Sequence, residues 1–88
     1  MKENFKVISI RTFDSNNGFF EERFFNGIET DLNGHINIAT VSKPYNAMKF
    51  LYETNEREID ALIAFVKTCY AKKNHTINLM TVEVSYSL

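Results

Sequence analysis

Residues 55–88 read NEREIDALIAFVKTCYAKKNHTINLMTVEVSYSL, and the apolar period changes partway through them. Ile59, Leu62, Ile63, Val66 and Tyr70 recur at intervals of three and four, which gathers side chains on one face of an α-helix. Asn55, with Glu58 three residues on, forms a capping-box pattern at the start of this segment. Glu56, Glu58 and Asp60 lie in its first turns and Lys67, Lys72 and Lys73 towards its end, matching the polarity of a helix dipole. Asn74 and His75 are expected to end the helix. From Thr76 to Leu88 the period is two: Met80, Val82, Val84, Tyr86 and Leu88 alternate with Thr81, Glu83, Ser85 and Ser87. That predicts a long amphipathic strand.

The residues before this helix read as strands. Phe5 to Phe13 is β-branched and runs into the turn formers Asp14-Ser15-Asn16-Asn17-Gly18. Phe19 to Phe25 should return antiparallel and stop at Asn26-Gly27. Ile28 to Leu32 is a short third candidate, and Asn33-Gly34 behind it is the signature of a type I′ hairpin turn. His35 to Val41 follows as a strand and is interrupted at Lys43-Pro44, because proline cannot donate to a ladder. In Ala47 to Glu53, Met48, Phe50 and Tyr52 alternate as a strand would, although Met48, Leu51 and Tyr52 also fit a helical face; strand is the favoured reading. The expected fold is α+β: an antiparallel sheet of about five strands in the order β-β-(β)-β-β-α-β, with one amphipathic helix packed on one face.

At 88 residues, one domain spanning 1–88 is expected, burying roughly 60 to 65% of its unfolded surface. An apolar fraction of 44% and a charged fraction of 24% lie far from the disordered regime. The net charge of -1 argues against binding nucleic acid mainly by phosphate neutralisation, and it leaves little repulsion between copies. Cys69 is the single cysteine, so neither an internal disulfide nor a cysteine metal cage can form. Met1 to Phe13 lacks the apolar run of a signal peptide, and no segment approaches the roughly 20 apolar residues of a membrane span. A cytoplasmic protein with no membrane partner is the expectation. Asn, Ile, Lys, Phe and Tyr are abundant while Gly, Ala, Pro and Arg are scarce, a bias suggestive of an AT-rich genome such as a phage or low-GC bacterium.

Candidate chemistry is sparse. His35, His75 and Cys69 are the only imidazole or thiol groups, and no two share a metal-ligand spacing, so no metal and no cofactor is expected. Cys69 falls on the flank of the helical stripe, where a thiol behaves as a small hydrophobe. Glu21, Glu22 and Arg23 could supply acid and electrostatic groups for a small nuclease, with His35 as a base, but no known spacing supports one and no catalytic residue is assigned.

The pattern that asks for a functional reading is a surplus of apolar strand surface. One helix covers one face of a sheet, so the other face should read as polar. Instead Phe19 and Phe25 point to one side with Glu21 and Arg23, and Phe20 and Phe24 to the other with Glu22. Either the sheet curls and is covered by itself, by Leu32, by Tyr45 and by loops, or the surplus face meets another chain. The leading expectation is a small non-enzymatic protein-interaction module, binding a protein partner or a second copy as a homodimer, with Phe19, Phe20, Phe24, Phe25 and Tyr86 as anchors. A phage- or mobile-element-encoded regulator or inhibitor of a host protein is the natural subclass. The alternative is an RNA or single-stranded DNA binder using sheet aromatics with Lys43, Lys49, Lys67, Lys72 and Lys73.

Overall fold

A computed structural model describes residues 2–50, 56–72 and 74–85. The fold is α+β, with one antiparallel sheet and one helix. Strands β1 (Lys2–Asp14), β2 (Phe19–Thr30) and β3 (Ile36–Val41) are followed by a 3-10 turn (Pro44–Asn46), helix α1 (Glu56–Cys69) and strand β4 (Asn74–Ser85). The sheet order is β3-β2-β1-β4, so β1 is central and α1 carries the chain from one edge of the sheet to the other.

The described sheet has four strands, not about five, and the difference has two causes. Of the separate strand expected at Ile28–Leu32, Ile28 to Thr30 are the last three residues of β2, and Asp31 and Leu32 lie in the loop that follows. Gly27 adopts φ +112°, a conformation that favours glycine, and the β2–β3 register shifts between Phe25 and Ile28; the glycine therefore makes a bulge within one strand instead of ending it. The strand expected at Ala47–Glu53 shrinks to one bridge, Lys6↔Phe50, with residues 51–53 outside the described set. Lys6 and Phe50 exchange both backbone bonds (3.0 and 2.8 Å), and Met48 N–H donates to Phe25 O at 3.1 Å. This short segment is wedged where β2 leaves β1: pairing of β1 with β2 runs from Asp14↔Phe19 only as far as Ser9↔Phe24.

Two further expectations shift. The hairpin at Asn33-Gly34 is not type I′, because no described non-glycine residue has positive φ. Gly34 (φ +81°) donates to Asp31 O and Asp31 N–H to His35 O, both at 3.0 Å, closing a three-residue loop with glycine in the left-handed position. The Asp31 carboxylate stabilises it by accepting from Asn33 and His35 N–H, each at 2.9 Å. The helix ends at Cys69, and Asn74 and His75 open β4, where the ladder to Phe13 and Thr12 claims them. The capping residue expected at Asn55 lies outside the described residues.

The sheet is buried on both faces along part of β1. On the helix face, Ile59 and Val66 pack with Ile8, Ile10, Phe25, Phe50 and Ile77, and Leu62, Ile63 and Tyr70 complete the expected stripe. On the opposite face, Phe5, Val7, Phe24 and Ala47 form a second cluster bordered by Val41, Met80 and Val82. Much of the apolar surplus is thus absorbed, with Ala47 of the wedged segment as part of the cover. Leu32 and Tyr45, expected to help, are exposed.

Candidate functional site at the aromatic end of the first hairpin

The aromatic part of the apolar strand surface left over lies at the β1–β2 turn. Antiparallel pairing sets Phe13 opposite Phe20, with ring centroids 4.8 Å apart and planes tilted by 41°. Phe20 is 78% exposed and Phe19, on the opposite face beside Asp14, is 72% exposed. Their doublet twin is core: Phe24 is 3% and Phe25 1% exposed, one in each cluster, so neither presents a surface to a partner. Tyr86 lies outside the described residues.

The hairpin tip is held by its own polar groups. Gly18 N–H donates to Asp14 O at 2.8 Å, Asn16 N–H to Asp14 Oδ1 at 2.9 Å, and Phe19 N–H to Asn17 Oδ1 at 3.0 Å. One step along the same face from the Phe13–Phe20 pair, Arg11 Nε donates to Glu22 Oε2 at 2.6 Å, and Ser9 Oγ donates to the same oxygen at 3.0 Å. The Arg11 hydrogen bond holds the Glu22 carboxyl below its ordinary range, outweighing the opposing effect of desolvation. Two rings thus lie beside an oriented ion pair on one face of the hairpin end. Shallow, open depressions flank it, lined by Arg11, Phe13, Phe20, Asn74 and Thr76 on one side and reaching Glu21 and Glu22 on the other.

Strand alternation separates the groups that an acid-base site would have had to combine, a site for which the sequence offered no supporting spacing. Arg23 turns to the helix face and donates to Thr40 Oγ1 and O, both at 3.0 Å, whereas Glu22 points away. Tyr70 lies in the same region as Arg23, and burial, reinforced by the charge of Glu21, pushes its hydroxyl pKa up. His35 is at the other hairpin, with Nδ1 3.2 Å from Asp31 Oδ2. Cys69 is exposed at the end of α1, not packed as a small hydrophobe. Among the described residues no three His, Cys, Asp or Glu side chains converge as metal ligands.

The lysines fall into separate regions. Lys49 Nζ donates to Tyr45 O at 2.9 Å and lies 5.2 Å from the Phe5 ring, while Lys43 Nζ sits 5.7 Å from the Tyr45 ring. Lys67 is in the last turn of α1, and Lys72 lines a depression with Asp14 and Glu21. Phe5 and Asp14 are nine positions apart on β1, or about 30 Å at ~3.3 Å per residue. Lys73 lies outside the described residues. A second exposed group, Ile28, Leu32 and Ile36 near the β2–β3 turn, is aliphatic only.

Phe13 and Arg11 belong to the patch but were not legible as site residues from their own segment. The signal that finds them is the register: a turn over 15–18 sets Phe13 against Phe20 and Arg11 against Glu22. Comparison with protein-family models, curated proteins and solved structures finds no match for this chain. Fold and site together define a class, a small four-stranded antiparallel α+β domain with an exposed aromatic hairpin end.

Proposed function

We propose that this chain is a small protein-interaction module without catalytic activity, docking on another protein through the aromatic end of the β1–β2 hairpin. The observation that carries the reading is the exposure of Phe20 beside Phe13 and the Arg11–Glu22 pair, with Phe19 exposed on the opposite face of the same hairpin end. Covering a phenylalanine side chain is worth about 1.5–3 kcal/mol, and aromatic and arginine groups are the usual anchors of protein interfaces. Paratope-like rigidity comes from the tied tip, which lowers the ordering cost of binding. The lysine distribution favours a protein partner over single-stranded nucleic acid, because a strand-tracking groove needs continuous positive charge, and Lys49 and Lys72 lie at opposite ends of the sheet. The composition suggests an AT-rich source such as a phage or low-GC bacterium, and on a phage or mobile element regulation or inhibition of a host protein would be the natural setting.

The test is affinity capture from the native host with the wild-type chain and with Phe19→Ser plus Phe20→Ser. Partners captured by the wild type should be lost from the double variant while its circular dichroism stays unchanged. An identical captured set would remove the hairpin end as the docking surface. Retention of RNA that weakens steeply with salt would favour the nucleic-acid alternative.

A further inference from the structure

Strand β4 is an outer edge of the described sheet, and the backbone groups along that edge lie apart from the exposed phenylalanines of the β1–β2 hairpin end. Which groups point outward follows from the pairing on the far side of β1. Lys6 exchanges both of its backbone bonds with Phe50, so its N–H and C=O point away from β4. Thr81, opposite Lys6, therefore belongs to a non-hydrogen-bonded pair and directs its own N–H and C=O to the outer edge. The β1–β4 ladder runs without a register shift from Lys2↔Ser85 to Phe13↔Asn74, so Leu79 and Ile77 do the same. No described strand lies beyond β4.

Edge strands usually carry lysine, proline or a bulge that discourages further pairing. The 12 residues of β4 contain no proline, glycine, lysine or arginine, and Glu83 is the single acidic group. Leu79 is 37% exposed at mid-strand.

We propose that β4 pairs with β4 of a second copy, antiparallel across a two-fold axis at Leu79, so that two four-stranded sheets become one continuous sheet. The register is what points to a second copy. Centred on Leu79, Ile77 of one chain faces Thr81 of the other, and His75 faces Glu83, an imidazole against a carboxylate at both ends. Centring on Met80 would set Ile77 against Glu83, and centring on Asn78 would leave Glu83 beyond the end of the opposing strand. In the Leu79 register the outward groups of residues 77, 79 and 81 form about six main-chain hydrogen bonds. The chain's net charge of -1 offers little resistance to self-association.

Sedimentation of the full chain tests this, alone and with two edge variants. Leu79→Lys sets two ammonium groups against each other at the axis, and Thr81→Pro removes an outward N–H without touching the β1 ladder. The wild type should sediment at twice the chain mass of 10.2 kDa, and each variant should raise the dimer dissociation constant more than about tenfold. Cys69→Ser plus Leu79→Cys should oxidise to a covalent dimer, because hydrogen-bonded opposite residues have Cα atoms about 5.5 Å apart, within disulfide reach. Phe19→Ser plus Phe20→Ser should leave the dimer intact, which separates this surface from the proposed docking site. A wild-type monomer up to about 100 μM, an edge variant that folds and still dimerises at full strength, or a Leu79→Cys chain that does not cross-link would each overturn it. Should the edge variants misfold, the cross-link decides.

Discussion

Residues 19–25 contain two phenylalanine doublets in one strand, and the structure assigns them opposite energetic roles. Phe25→Ala removes a side chain that is 1% exposed and packed among Ile8, Ile10, Phe50 and Val66, so it should cost about 3–5 kcal/mol in lost transfer energy and cavity formation. Phe20→Ala removes a side chain that is already largely in water. Its main loss is the contact with Phe13, about 0.5–1.5 kcal/mol. For a chain of this size the total stability is about 4–13 kcal/mol, so the first substitution takes away a large part of it and the second little. At ~4–8 °C per kcal/mol, Phe25→Ala should lower Tm by at least ~12 °C and Phe20→Ala by no more than ~12 °C, with a larger drop for Phe25→Ala in side-by-side melts. Urea and thermal unfolding followed by circular dichroism measure both. Equal losses in the two variants would mean that Phe20 is covered in solution, and the docking surface would disappear with it.

Two further outcomes test the geometry around the site. Because Arg11 holds the Glu22 carboxyl below its ordinary value, the pair's contribution to stability is present above the unfolded-state value near 4.5 and is lost as pH falls through the lower native one. The urea midpoint of Glu22→Gln should therefore converge on that of the wild type on acidification from pH 6 to pH 2, and parallel curves would refute the linkage. Gly27→Ala should destabilise by about 1–3 kcal/mol in the same assay, since φ +112° strains any side chain; space is not the limit, as the nearest atom, Met48 Cε, would be 3.7 Å away. A neutral Gly27→Ala would argue against the bulge.

The helix was legible because one apolar period runs through it, and β4 because apolar and polar residues alternate from Met80 on, and period depends only on neighbours in the chain; Ile77, buried on the helix face, falls outside that alternation. Misreadings arose where a local signal competed with a pairing partner. Asn26-Gly27 reads as a turn, yet glycine's freedom at positive φ equally permits a bulge, and pairing with β3 selects the bulge. Asn33-Gly34 reads as a two-residue turn, but Asp31 binds the amides of Asn33 and His35 and stabilises a longer loop. The alternation of Met48 and Phe50 is real, and only Phe50 finds a bridge, because the space between β1 and β2 opens at that point. The candidate site was half legible: Phe19 and Phe20 were singled out, while Phe13 and Arg11 needed the hairpin register.

Residue order alone was enough to specify the α+β class, one helix, the identity of most strands and an excess of apolar β-surface, since propensity and periodicity are short-range properties. Which part of that excess stays in water was settled by packing. Phe20 and Phe24 are chemically identical and point to the same face, yet one end of that face is closed by Ala47 and its neighbours and the other is left open. Burial depends on what lies across from a side chain, and here that covering residue is more than twenty positions away in sequence.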